Sequence, residues 1–191
     1  MKKVGVAVIG TGLLGARHAR VYNEMPNAEL VAVMDVQAER AKAVADKYGV
    51  ASYTSYSDLL SNSDVEAVSV ATPDHLHRDA VVACFEGGKH VLTEKPLSTK
   101  VEDAEAMLRA ASGTGLSFMV NFSQRFVAEY AWIKRTIEAG HIGTPLMVQS
   151  LKHEQISVPT GMIRSWSSET SPIFFMTSHD MARLGIIRRS A

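Results

Sequence analysis

Val4-Gly-Val-Ala-Val-Ile-Gly10-Thr-Gly12-Leu13-Leu14-Gly15, followed by Glu29-Leu-Val-Ala-Val-Met-Asp35, decides the fold. The run from Val4 to Ile9 is continuous, small and β-branched, as expected for a parallel strand covered on both faces. Gly10 then permits a tight turn, Gly12 lets the backbone approach a pyrophosphate, and Gly15 lets the next helix pack closely on the strand. That helix begins near Leu13 and Leu14, so its unpaired N–H groups and positive dipole end face the phosphates. Asp35 stands 20 residues after Gly15, at the end of a second apolar run. A carboxylate there can accept both ribose hydroxyls of an adenosine. The bland alternative is a glycine turn and a solvated acid. Strand, turn, helix, strand and acid agree on dinucleotide binding. The charge of Asp35 repels a 2′-phosphate and favours NAD over NADP, a preference that nearby Arg40 can soften.

The pattern continues as alternating strands and helices. Residues 37–48 carry Ala41, Val44 and Ala45 at helical spacing and stop at Gly49. A short strand follows over 50–53, a short helix over 56–60 and a second buried strand over 65–71. Thr72-Pro-Asp-His75 opens a helix reaching about Glu86, with Asp74 its expected N-cap. The next strand covers 90–93, a helix 101–111 and a last strand 117–121. The expected fold class is α/β, a doubly wound parallel Rossmann sheet with right-handed connections, ending near residue 122. An incomplete α+β second domain should occupy 123–191. Within it Phe126, Tyr130, Ile133 and Ile137 share a helix face that Gly140 ends, and 145–153 alternates like a half-exposed strand. No periodicity organises 154–172, a length of loop that points to function or disorder.

The totals bound the function classes. The 191 residues hold 20 basic and 20 acidic side chains, and that balance gives no reason to expect nucleic acid or an anionic membrane as partner. The single cysteine, Cys84, sits in an apolar helical pattern and is expected to be inert core, in a reducing compartment. Lys2 and Lys3 before the apolar run resemble a signal peptide, but four glycines interrupt it, and the reading is cytoplasmic. No apolar stretch is long enough to span a membrane, and no metal site is expected.

Ligands of such sheets bind outside the carboxyl ends of the strands. That places Ala71, Thr72, Pro73, His75 and His77, then Glu94 and Lys95, then Asn121, Gln124 and Arg125 on the cofactor side. His75 and His77 are either catalytic or structural. Lys95 can exchange the proton of a substrate hydroxyl if its surroundings lower its pKa, or it is an exposed lysine before a proline. Pro96 keeps Lys95 extended and allows a cis bond. Gln124 and Arg125 reach cofactor or substrate, or tie two domains together.

Gly10-Thr-Gly12-x-x-Gly15, Asp35, Ala71-Thr-Pro-Asp-His-x-His77, Glu94-Lys-Pro96, Gln124-Arg-Phe126 and Ser178-His-Asp180 occur in that order. Together they resemble the glucose-fructose oxidoreductase / inositol dehydrogenase / rhizopine catabolism family of NAD(P)-dependent oxidoreductases, over residues 3 to about 180. The resemblance implies a Rossmann domain followed by an α+β domain whose open sheet binds substrate and builds a homo-oligomer. It implies hydride transfer between NAD (or NADP) and a sugar or polyol carbon, with Lys95 and His179 handling the hydroxyl proton. Two departures stand out. Phe175 occupies the place of an aspartate found four residues before the histidine in many members, and Asp180 is a candidate substitute. After Met181 the chain leaves the family pattern, which reads as a truncated or out-of-frame product. The alternative function is then a non-catalytic dinucleotide-binding module. The missing strands would leave apolar faces around 126–137 and 146–151 uncovered, so self-association is expected.

Overall fold

The computed structural model describes residues 2–147. His179, with Phe175, Ser178 and Asp180, lies outside them, as do the loop expected over 154–172 and most of the strand expected over 145–153. The chain divides into two compact units, the first ending at Phe122 and the second starting at Ser123.

In the first unit the elements run β1 (Val4–Ile9), α1 (Leu13–Glu24), β2 (Ala28–Met34), α2 (Ala38–Tyr48), β3 (Ala51–Tyr53) and α3 (Tyr56–Leu60). The second half supplies β4 (Ala67–Val70), α4 (His77–Glu86), β5 (His90–Thr93), α5 (Val101–Ala111) and β6 (Phe118–Val120). The strands form one parallel sheet in the order β3-β2-β1-β4-β5-β6. The order reverses between β1 and β4, and that switch point opens a crevice at the carboxyl ends of the strands.

Burial on both faces explains the unbroken apolar runs. Ala7 and Ile9 join one core with Leu59, Val81, Cys84 and Met107, while Val8 joins the other with Ala19, Val33 and Ala45. The α/β expectation therefore holds, with β2 starting at Ala28 because that residue pairs with Val4. Gly49 ends α2 at φ 68°, the left-handed geometry that suits glycine. Cys84 is fully buried, and burial pushes its thiol up to about 12, so it stays protonated and inert.

One expectation in this unit fails. Asp74 does not cap the helix: it opens a separate 3-10 turn, Asp74–Leu76, its side chain makes no cap hydrogen bond, and α4 starts only at His77. Proline at 73 holds the extended backbone that leads into this turn (φ −56°, ψ 146°).

The second unit begins with a 3-10 turn, Ser123–Phe126, followed by α6 (Ala128–Glu138). Phe126 therefore precedes the helix instead of sharing its face with Tyr130 and Ile133. Gly140, at φ 75°, follows the C-cap Ala139.

Candidate functional site

The site is assembled by the carboxyl ends of five neighbouring strands. Gly10 and Thr11 follow β1, Asp35 follows β2, Ala71–Pro73 follow β4, Glu94–Pro96 follow β5 and Asn121 follows β6. Because every strand is parallel, these residues share one edge of the sheet. Gln124 and Arg125 belong to the second unit.

Gly10 has φ 87°, and a Cβ there would stand 2.8 Å from the Ala71 carbonyl, so the turn admits no side chain on either count. A Cβ on Gly12 would meet nothing within 4 Å, and as the residue capping α1 its amide has no acceptor within the helix. The N–H groups of the first turn of α1, around Leu13, Leu14 and Gly15, have no acceptor within the helix. The N–H of Thr11 is not among these donors, because it donates to Asp35 Oδ2 (2.8 Å), as does the Thr11 hydroxyl (3.1 Å). The Gln37 N–H donates to Asp35 Oδ1 (2.9 Å). A carboxylate offers about four acceptor positions. With three filled, Asp35 can take one further hydroxyl, not the two expected. Its buried charge is nonetheless locked beside the glycine turn.

On the other side of the switch point the loops after β4 and β5 are tied together. His77 is fully buried, its Nδ1 facing the carbonyls of Pro96 (3.0 Å) and Leu97 (3.3 Å) and its Nε2 that of Thr72 (3.1 Å). Both ring nitrogens thus face backbone carbonyls, and through whichever N–H donates His77 ties the loops after β4 and β5 together. His75 is exposed on the 3-10 turn. Burial holds the Asp74 carboxyl above its usual range, opposed by the charges of His77, Lys95 and His75. Thr72 Oγ1 is buried and has no hydrogen-bond partner among the described residues, an orphan of the kind that a bound ligand satisfies.

Glu94 is the hub of a network that the sequence did not announce. Its Oε1 accepts from His18 Nε2 (3.0 Å) and Asn121 Nδ2 (2.7 Å), and its Oε2 from the Lys95 N–H (3.1 Å). Behind the ring, His18 Nδ1 meets Ser69 Oγ at 2.7 Å. Burial pushes the Glu94 carboxyl up, but the bonds from His18, Asn121 and the Lys95 amide outweigh it and hold it below the usual range. The Lys95 side chain is exposed, and the Lys95–Pro96 bond is cis.

A pH dependence follows. An unfolded glutamate titrates near 4.3, and the folded value lies below it. The stability contributed by Glu94 is therefore complete above about 4.3 and lost as pH falls through the folded pKa. Wild type and Glu94→Gln should differ most in Tm near neutrality and converge below about pH 4. A gap that persists unchanged at acid pH would show that the charge is not what holds the network.

His18 and Ser69 escaped the sequence reading. The one signal was spacing: Gly15, His18, Ala19 and Tyr22 recur at three and four residues, the inner face of α1. A polar residue on such a face needs a partner, but the sequence does not say which.

The comparisons with known proteins agree with this geometry. Residues 4–122 match the family GFO_IDH_MocA, described as an oxidoreductase family with an NAD-binding Rossmann fold. Inositol 2-dehydrogenase 3 of Saccharopolyspora erythraea is 40% identical over 158 residues, covering 82% of this chain and 46% of that protein. The crystal structure of myo-inositol 2-dehydrogenase from Lactobacillus plantarum aligns with TM-score 0.70 and 27% identity, over 75% of this chain and 43% of that one. A scyllo-inositol dehydrogenase from Lactobacillus casei, crystallised with NAD(H) and scyllo-inositol, aligns with TM-score 0.81 over 90% of this chain and 51% of that one. At 24% identity this last likeness speaks to fold alone. The chain spans about half the length of the curated relatives it matches.

Proposed function

We propose, from the premise that this chain belongs to the glucose-fructose oxidoreductase / inositol dehydrogenase / rhizopine catabolism family, that its protein transfers a hydride between NAD and a hydroxyl-bearing carbon of a polyol or sugar. The observation that carries the reading is one sheet edge bearing the open Gly12 amide, the locked Asp35 carboxylate and Lys95. The free amides of Gly12, Leu13, Leu14 and Gly15 would hold the pyrophosphate, and Asp35 an adenosine ribose. Ala71, Thr72, Pro73 and Asn121 would line the nicotinamide end. NAD, when bound, supplies the hydride acceptor. Lys95 exchanges the hydroxyl proton, with His179 as its proposed partner. The substrate class follows from the inositol dehydrogenases among the relatives.

Among the described residues no helix is long and apolar enough to cross a membrane. The single cysteine, buried and unpaired, supports a reducing, cytoplasmic compartment, and the family resemblance supports a homo-oligomer for the full-length protein.

The test is a thermal-shift titration with NAD and, separately, NADP. Ligand at a hundred times its dissociation constant stabilises by about 2.7 kcal/mol. NAD should give that shift and NADP a smaller one, because the Asp35 charge faces the added phosphate. Asp35→Ser should reverse the preference, since exposed Arg40 on the first turn of α2 is then unopposed. It should also lower stability by about 1–3 kcal/mol, as the buried Thr11 donors lose their acceptor. No response of the wild type to either nucleotide would sink the reading.

A further inference from the structure

We infer that His18 and Glu94 form a buried positioning pair that ties the dinucleotide helix α1 to the Lys95 loop and so sets the nicotinamide half of the cofactor site. The inference rests on the dinucleotide reading above and assigns a role to a histidine outside every motif that identified the family.

Glu94 carries a carboxylate in a residue only 7% exposed, and His18 is nearly as covered. Such a group is tolerated only while its donors are in place. Its donors come from different elements: His18 from α1, Asn121 from the end of β6, and the Lys95 amide from the end of β5. An ionised carboxylate only accepts, so His18 Nε2 carries a proton, and in the neutral ring Nδ1 then accepts from the Ser69 hydroxyl on β4. Glu94 and His18 together thus link α1, β4, β5 and the end of β6.

Apart from His18, which reaches across from α1, the members sit on β4, β5 and the end of β6. Asp35, Thr11 and Gln37 form their own closed set on the β1–β2 side and share no bond with the Glu94 network. In a fold of this strand order the adenosine half of a dinucleotide lies over the β1–β2 side and the nicotinamide half over β4 to β6. Without His18, Glu94 must take up a proton or turn toward solvent, and the Lys95 amide and Asn121 lose their anchor. The adenosine half is untouched. A general packing role for His18 would not divide the ligand this way.

ADP-ribose contains the adenosine, the pyrophosphate and the second ribose but lacks nicotinamide, and it separates the two halves. The experiment is calorimetric titration of the full 191-residue chain with NAD and with ADP-ribose, for wild type, His18→Leu, His18→Gln and Ser69→Ala, with circular dichroism as the folding control. His18→Leu keeps bulk and removes both bonds. It should weaken NAD by about tenfold or more, the loss of one hydrogen bond to a charged group, and leave ADP-ribose within about twofold. His18→Gln restores a donor toward Glu94 and should recover most of the NAD affinity. Ser69→Ala should give the same split at smaller size, and it decides the matter if His18→Leu does not fold. Equal losses for both ligands, no loss for either, or an NAD-selective loss without rescue by glutamine would overturn the inference and leave dinucleotide binding standing. A wild type that binds neither ligand would overturn the dinucleotide reading itself, and the inference with it.

Discussion

Gly15→Ala is expected to cost the Rossmann unit at least about 3 kcal/mol, whereas Gly12→Ala, three residues earlier, is expected to cost almost nothing and yet abolish tight NAD binding. The two glycines belong to one motif but do different work. A Cβ on Gly15 would stand 1.6 Å from the Gly10 carbonyl oxygen and 2.8 Å from its carbon. Those are backbone atoms of the turn itself, so no side chain can step aside. Helix α1 must lift from β1, uncovering Val8 and Ala19, both fully buried. Overpacking of a rigid site costs about 1–3 kcal/mol and more when backbone is the obstacle, a large share of a domain's total of about 5–15 kcal/mol. Gly12 has φ −66°, comfortable for alanine, and open space around it. Its missing side chain serves the ligand: a methyl there covers the amides that would face the pyrophosphate, and affinity should fall by about tenfold or more. Urea unfolding and NAD titration of both variants check the contrast. Equal stability losses, or unchanged NAD affinity in Gly12→Ala, would break it.

Much of the fold was legible because a parallel sheet covered on both faces leaves long apolar runs, and because α2, α4 and α5 each end within two residues of a glycine at positive φ. His90–Thr93 and Val101–Ala111 fall where the pattern placed them. What was not legible depends on contacts far apart in sequence. Gly5 read as one more residue of a strand, yet a Cβ there would lie 1.9 Å from the Asp64 carbonyl oxygen, a close approach that local pattern does not announce. His18 bonds to Ser69 and Glu94, 51 and 76 residues away, so its importance appears only once α1 is laid across the sheet. Asp74 failed as a cap for a different reason. Short polar residues after proline suit a helix start and a 3-10 turn equally well, and the backbone chose the turn. The glycines and Asp35 were chemically transparent, but the amide and hydroxyl of Thr11 were not. They take acceptor positions on Asp35 that the sequence alone assigns to ribose.

Lys95→Met should lower the turnover of a polyol by about 10²- to 10⁴-fold, the usual worth of a positioned acid or base, while changing NAD affinity by less than about twofold. The lysine stands at the end of β5, next in the sheet to β4, whose following loop carries Asp74, and its charge reaches that carboxyl. Its backbone N–H is held by Glu94, so the main chain is fixed while the exposed side chain is free to meet a substrate. Methionine keeps length and stem but cannot carry a proton. The adenosine contacts through Gly12 and Asp35 are untouched, which is why binding should survive. Lys95→Arg separates proton exchange from mere charge: guanidinium keeps the positive charge but does not give up its proton in proteins. If Lys95 moves the hydroxyl proton, arginine should be as slow as methionine. If it only attracts or orients, arginine should restore much of the rate. The measurement is NADH formation from a panel of inositols and open-chain polyols, with NAD affinity determined in parallel. Turnover that persists in Lys95→Met removes the proton-shuttle role and shifts attention to the remaining candidate, His179.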